Sequence, residues 1–331
     1  MESEKIGRYQ LLELIGRGAI GDVYRAHDPD LDREVAVKII TRSTSMDSAE
    51  VQRRFRREVQ LAAYLKHPNI ISVYDVGLDQ EQPYLVTELL AGGTLKDYFG
   101  LGLLVWEEAL ALLEPISSAL GYAHEVGIIH RDVKPGNIMF ADDGTRTIKL
   151  ADFGLAHRQD DDQLTQSGGI VGTIAYMSPE QANGEALDAR TDIYSLGLIL
   201  FEAIAGYNPL RGETVSRTLL NAISFDPIDL SGLLDKVPRD VLALLGSALA
   251  RDRRTRYGSC RQLSQDIARC LALNEQPLPG GSKIARDLLA DVSGTSRTVQ
   301  IENVLGLSLP ADADEILQEM FAGYRRVSIK E

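Results

Sequence analysis

Cysteine is almost absent: Cys260 and Cys270 are the only two in 331 residues. That excludes a disulfide-stapled scaffold, and it excludes a structural zinc site built on thiolates, which needs about four ligands. No apolar run approaches the ~20 residues of a membrane-spanning helix. The opening residues lack the charged and apolar blocks of a secretory leader. Positive charge is scarce as well, with 35 Lys and Arg against 48 Asp and Glu and a net charge of −13. A general nucleic-acid binder is disfavoured, because phosphate neutralisation needs a basic surface. These absences predict a cytoplasmic protein with no membrane span and no nucleic-acid partner. Hydrophobic residues at 44% and charged residues at 25% suffice for a sizeable globular core.

Residues 9–40 alternate β-prone runs with glycine turns, giving strands over Tyr9–Ile15, Asp22–Ala26 and Glu34–Ile40. Between Ser45 and His67 the period becomes helical, with Val51, Phe55, Val59, Ala62 and Ala63 on one stripe. Two further strands are expected near 70–77 and 84–88. From 94 onward helical patterns dominate, at 105–126, 188–205, 214–222, 238–250 and 259–273. Pro115 falls inside the first of these, which predicts a kink or break near 111–115. Gln276–Ser282 reads as a linker on its proline and glycine content.

Three segments carry chemistry. The first is Gly16-Arg-Gly18-Ala-Ile-Gly21, a glycine turn between two strands. Glycines at this spacing let a hairpin backbone close over phosphates. A dinucleotide-binding loop shares the spacing but opens a helix, and no such βαβ unit follows. Lys38 closes the apolar strand Val35-Ala-Val-Lys38 and suits an anion. Its expected carboxylate partner is Glu58, with Glu50 the competing candidate.

The second and third segments are His130-Arg-Asp132-Val-Lys134-Pro-Gly-Asn137 and Asp152-Phe153-Gly154. A carboxylate and an amide oxygen, Asp152 and Asn137, are the oxygen ligands a hard cation such as magnesium prefers. Asp132 can accept a hydroxyl proton, and Lys134 can neutralise charge on a transferring phosphoryl group.

Together these motifs resemble the eukaryotic-type protein kinase superfamily, and especially its bacterial serine/threonine members, over residues 9–273. The resemblance implies an α+β bilobal fold: a small lobe (9–87) of five antiparallel strands with one helix, a hinge (88–93), and a larger, mainly helical lobe (94–273). A linker (274–282) and an appendage (283–331) would follow. It implies ATP and Mg2+ as cofactors and protein substrates as partners. ATP would lie beneath Ile15, Gly16, Arg17, Gly18 and Gly21, with Lys38 on its phosphates and paired to Glu58. Val23, Ala36 and Met139 would sandwich the adenine, Glu88 to Leu90 would form the hinge contacts, and Thr87 would be a small gatekeeper. Asp132 would be the catalytic base beside Lys134, and Asn137 and Asp152 the metal ligands.

Further family features fall in order. Ser178-Pro-Glu180 stands where Ala-Pro-Glu is usual, Arg256 where its arginine partner lies, and Asp192 where a buried helix aspartate braces the catalytic loop. Val133 replaces the commoner leucine. Thr165 and Ser167 are candidate acceptors of an activating phosphate read by Arg131. Thr173 resembles the threonine that bonds the catalytic aspartate and lysine.

Two rival readings share the fold: a pseudokinase binding module, and a small-molecule phosphotransferase. The first predicts loss of Lys38, Asp132, Asn137 or Asp152, and all four are present. The appendage carries Thr298-Val-Gln-Ile301, read either as a docking segment or as a ligand for a phosphothreonine-reading partner. Ile316, Met320, Phe321 and Tyr324 on one helical face favour docking.

Overall fold

The computed structural model describes residues 4–18, 21–40, 64–79, 82–100, 102–141, 147–153, 174–224 and 227–273. The chain divides into units Met1–Asn274 and Glu275–Glu331, and every described residue belongs to the first. Glu58, Gly154, Thr165, Ser167, Thr173 and the whole appendage lie outside the described residues.

The first half is one antiparallel sheet. Its strands are β1 (Lys5–Ile6), β2 (Tyr9–Arg17), β3 (Gly21–Asp28), β4 (Arg33–Ile40), β5 (Val73–Asp79) and β6 (Gln82–Glu88), in the order β1-β2-β3-β4-β6-β5. Five of these match the expected strands and the sixth corrects the count. Lys5 and Ile6 pair with Gln10 and Tyr9 across a two-residue turn, Gly7-Arg8. Gly7 has φ +55°, which glycine adopts freely and which tight hairpin turns require at their first central position. Two residues are too few for any alternation to show in the sequence.

Strand alternation divides the sheet into two faces. Val35 and Val37 on β4 join Ile6, Tyr9, Ala26, Tyr84 and Val86 in a buried cluster on one face. The intervening Ala36 and Lys38 point to the other. Register carries that second face across the sheet: Gly16 opposes Val23, Val23 opposes Lys38, and Ala36 opposes Thr87. Directly opposed residues share a face, so the core positions one side of the sheet and the candidate site occupies the other.

The second half is helical. It contains α1 (Leu95–Phe99), α2 (Trp106–Glu125), α3 (Pro179–Ala182), α4 (Arg190–Ala205), α5 (Val215–Ile223), α6 (Arg239–Ala248) and α7 (Cys260–Leu273). A two-stranded hairpin, β7 (Ile138–Phe140) with β8 (Ile148–Leu150), lies between α2 and α3. Helix α1 starts at a Thr94–Asp97 capping box, and α3 at a Ser178–Gln181 box with Pro179 in its first turn. Helix α4 is apolar on every side and is buried along nearly its whole length. It ends where Gly206 turns left-handed at φ +83°. Helices α2, α6 and α7 pack around α4, and the β7–β8 hairpin, set against α2 and α1, joins the same hydrophobic cluster. Cys260 and Cys270 on α7 are fully buried in that cluster and form no disulfide.

Of the kink or break expected at Pro115 the break is absent, since α2 is continuous from Trp106 to Glu125. The imide removes one donor, so the Ala111 carbonyl loses its helical partner. Ala111 is exposed, where water can take up that carbonyl. The opposite stripe of Leu110, Leu113, Ile116, Ala119, Leu120 and Ala123 is buried and holds the helix together.

Candidate active site

The segment between α2 and β7 carries the catalytic-loop motif, and it is held from below. Asp192, in the first turn of α4, is completely buried. Its Oδ2 accepts the His130 amide and its Oδ1 the Arg131 amide, each at 2.8 Å. His124 Nε2 lies 2.7 Å from Oδ2. Burial pushes the Asp192 carboxyl up, but the bonds from His124 and His130 outweigh it and hold the group below its ordinary range. The amides are presented because Arg131 takes a left-handed conformation, φ +68°. A non-glycine residue there is strained by about 1–3 kcal/mol and needs such bracing.

His130 links this loop to the next motif. The Asp132 amide donates to Nδ1 at 3.2 Å, which makes Nδ1 an acceptor and places the ring proton on Nε2. Nε2 then donates to the Ala151 carbonyl at 2.9 Å. The ring meets Phe153 edge to face at 4.6 Å. Asp152, between Ala151 and Phe153, is itself left-handed at φ +63°.

Above the loop the charged side chains converge. Lys134 Nζ donates to Asp132 Oδ2 at 2.8 Å. Asn137 Nδ2 donates to the Asp132 carbonyl at 2.8 Å and to Oδ2 at 3.1 Å. Across the cleft Lys38 Nζ donates to Asp152 Oδ1 at 2.7 Å. Burial raises the Asp152 carboxyl, but Lys38 more than reverses this and keeps it below the usual carboxylate range. Lys38 thus has a carboxylate partner in Asp152, while the pairing expected with Glu58 falls on a residue outside those described.

The sheet face bearing Val23, Ala36, Lys38 and Thr87 looks onto this constellation. Gly18 and Gly21 exchange backbone hydrogen bonds at 3.0 and 3.2 Å and close the glycine turn. Ile15 stays 47% exposed on the hairpin. Met139 on β7 bridges Thr94, directly after the segment 88–93 expected to form the hinge. Gly92 lies so close to β7 that an added Cβ would come 2.6 Å from the Phe140 carbonyl oxygen. Thr87 is buried, and its hydroxyl donates to the Glu88 carbonyl at 3.2 Å. The Glu88 carboxylate turns away to Lys149. Lys149 stands outside the motifs, although a lone charge inside Ile148-Lys-Leu-Ala151 is a usable signal.

Outside the site, Glu180 and Arg256 form a buried two-pronged ion pair at 2.6 and 2.9 Å. Arg256 also lies over the Tyr194 ring at 4.7 Å. Thr191 donates to Glu180 at 3.0 Å. Gln181 on α3 reaches the Arg131 carbonyl at 2.8 Å, which ties this brace to the catalytic loop.

A small antiparallel sheet over a helical lobe, with a lysine, two aspartates and an asparagine meeting between them, defines the protein kinase fold and site. The chain belongs to the protein kinase domain family, which it matches over residues 9–267. It is 40% identical over 262 residues to the serine/threonine-protein kinase PrkC of Bacillus subtilis, covering 79% of this chain and 40% of that protein. It is 37% identical over 287 residues to the serine/threonine-protein kinase PknB of Mycobacterium tuberculosis, covering 85% and 45%. The crystal structure of the M. tuberculosis PknI kinase domain superposes with a TM-score of 0.64 at 29% identity, covering 81% of this chain and 98% of that one. The chain spans about 40% of the length of the curated relatives it matches.

Proposed function

We propose that this protein transfers the γ-phosphate of ATP to serine or threonine hydroxyls of proteins, through a catalytic domain of residues 9–273 divided as small lobe, hinge and large lobe at 87/88 and 93/94. The observation that carries the reading is the convergence of Lys134 and Asn137 on Asp132, beside the Lys38–Asp152 pair. Names of relatives such as PrkC and PknB support serine and threonine as acceptors.

In this reading Asp132 accepts the proton of the incoming hydroxyl. Lys134, already 2.8 Å from that carboxylate, aligns it and neutralises charge on the phosphoryl group in transit. Lys38 holds the nucleotide phosphates, and Val23, Ala36, Thr87, Leu90 and Met139 enclose the base. The donor set fits magnesium: Asp152 offers a carboxylate, and Asn137, with its amide N–H groups turned to Asp132, offers Oδ1. Among the described residues no group of three or more His, Cys, Asp or Glu could hold a metal, so phosphate oxygens and water would complete the shell. Bound there, magnesium supplies charge neutralisation on the phosphates.

No helix among the described residues is long and apolar enough to cross a membrane. Two unlinked, buried thiols fit a reducing compartment such as the cytosol. Thr165 and Ser167 remain the proposed activating acceptors, and Thr298-Val-Gln-Ile301 is proposed first as a docking segment, with recruitment through a phosphorylated Thr298 the alternative.

Incubation with radiolabelled ATP, magnesium and a generic protein substrate tests the assignment. Label on serine or threonine supports it. Nucleotide binding without transfer supports a pseudokinase, and label only on small molecules supports the phosphotransferase alternative.

A further inference from the structure

Behind the hinge lies an ion pair that the phosphoryl chemistry does not use. Lys149, on β8, places Nζ 2.7 Å from Glu88 Oε1 and 2.8 Å from Oε2. Both side chains are largely enclosed, at 15% and 17% exposure. Oε1 also accepts the Ser72 amide at 2.6 Å, and the Glu88 amide returns a bond to the Ser72 carbonyl at 3.0 Å. The same 69–72 segment is laced to β8. Asn69 Nδ2 donates to the Ile148 carbonyl at 2.8 Å, the Leu150 amide to the Asn69 carbonyl at 2.9 Å, and the Ile71 amide to the Leu150 carbonyl at 3.0 Å. The Glu88 carboxylate is therefore the node where β6, the 69–72 segment and β8 meet.

We propose that Lys149 is a positioning residue: its ion pair with Glu88 pins the hinge to the strand that delivers Asp152, and so sets the seat of the small sheet over the nucleotide. The inference rests on the kinase reading above. Two bridges run from the β4–β6 pair to the four residues Lys149–Asp152. The front bridge is Lys38–Asp152 and the rear bridge is Glu88–Lys149. On β6, Leu85 faces Lys38, and Glu88 follows three residues later, facing Val35. Both members of the front bridge are claimed by ligand, Lys38 by phosphate and Asp152 by metal. In the rear bridge the Glu88 carboxylate is engaged by Lys149 and the Ser72 amide, and neither side chain is claimed by phosphate or metal, so this charged link persists with nucleotide bound and acts as the pivot. An enclosed ammonium held by both carboxylate oxygens is a stiffer connection than an exposed pair, whose members wander and are screened.

The test uses the full chain with Lys149→Met, Lys149→Arg, Glu88→Gln and the Lys149→Met/Glu88→Gln double variant. KM for ATP, the Kd of a non-hydrolysable ATP analogue, kcat and Tm are measured for each. Lys149→Met is expected to raise the ATP KM and analogue Kd by about five- to tenfold while kcat stays within about twofold. Lys149→Arg recovers most of that affinity. The double variant is no weaker than the weaker single one, because both remove the same interaction. Glu88→Gln keeps the acceptor for Ser72 and remains informative if Lys149→Met folds poorly. Unchanged ATP KM and Kd in both single variants overturns the proposal. So does an affinity loss that only tracks Tm and that arginine does not rescue, and so do additive effects in the double variant. A parent protein that binds no analogue and transfers no phosphate overturns the kinase reading itself. An active parent with indifferent variants overturns only the pivot.

Discussion

The carboxylate of Asp192 accepts the amide of Arg131 at 2.8 Å, reaching from the core helix α4 to a residue held at φ +68°. An aspartate answers two backbone donors here, and an asparagine would turn a donor toward one of them. Asp192→Asn should therefore lower stability by about 2–4 kcal/mol and reduce kcat together. Chemical denaturation and phosphate transfer on the same preparation check this; an unaltered variant in both would remove Asp192 as the loop's anchor.

Asp132→Asn should lower transfer by a factor of about 10² or more while leaving nucleotide affinity nearly unchanged, if the carboxylate acts on the acceptor hydroxyl as proposed. Turnover and nucleotide Kd decide it. Retained turnover would mean that another group takes the proton.

Glu180 should govern part of the acid stability. Burial raises its carboxyl, but the bonds from Arg256 outweigh this and hold it below the ordinary value. A depressed carboxyl stabilises the fold in full above its unfolded-state value, and that contribution is lost as pH falls from there through the lower folded-state value. Stability should hold above pH about 4.5 and fall progressively below. Glu180→Gln should flatten that part of the slope in urea titrations taken from pH 6 to pH 3. Removing one partner strands a buried charge, so Glu180→Ala should cost about 3–5 kcal/mol. Exchanging both Glu180 and Arg256 for apolar residues should recover some of it.

Gly92→Ala would bring a Cβ within 2.6 Å of the Phe140 carbonyl oxygen, with backbone on both sides unable to yield cheaply. The expected result is a stability loss of about 1–3 kcal/mol and weaker nucleotide binding. Calorimetric melting with and without ATP reads both, and a Tm equal to the parent's would show that the hinge relaxes.

Pro115→Ala should restore a donor for the Ala111 carbonyl inside an unbroken helix. Stability should rise by about 1–2 kcal/mol, with the larger unfolded-state entropy of alanine offsetting part of the gain. A lower Tm would mean that the ring packs better than a methyl group.

The protein kinase fold was legible because its motifs are short and contiguous. His130–Asn137 and Asp152–Phe153 each fold as one local unit, so spacing in sequence becomes spacing in the site. Helix α7 was legible from its helical run and α4 from an apolar stretch dense enough to be buried nearly all round, while β4 was legible as a β-branched run closed by Lys38, though its division into two faces was not read. Strand β1 was not, because two residues carry no period. Continuity at Pro115 was not, because it depends on which carbonyl faces water. The rear ion pair was not, because Glu88 and Lys149 lie 61 residues apart and meet only through the sheet and the β7–β8 hairpin.

Both thiols of the chain are sealed inside the large-lobe core, and burial pushes each up, Cys260 strongly. A reagent that attacks thiolate reaches them only when α7 comes away from its neighbours. The wild-type sequence is therefore already a silent background for spectroscopy. One cysteine introduced on an exposed strand or helix would label rapidly and alone. The slow reaction of Cys260 and Cys270 would then time the opening of the core in the same tube.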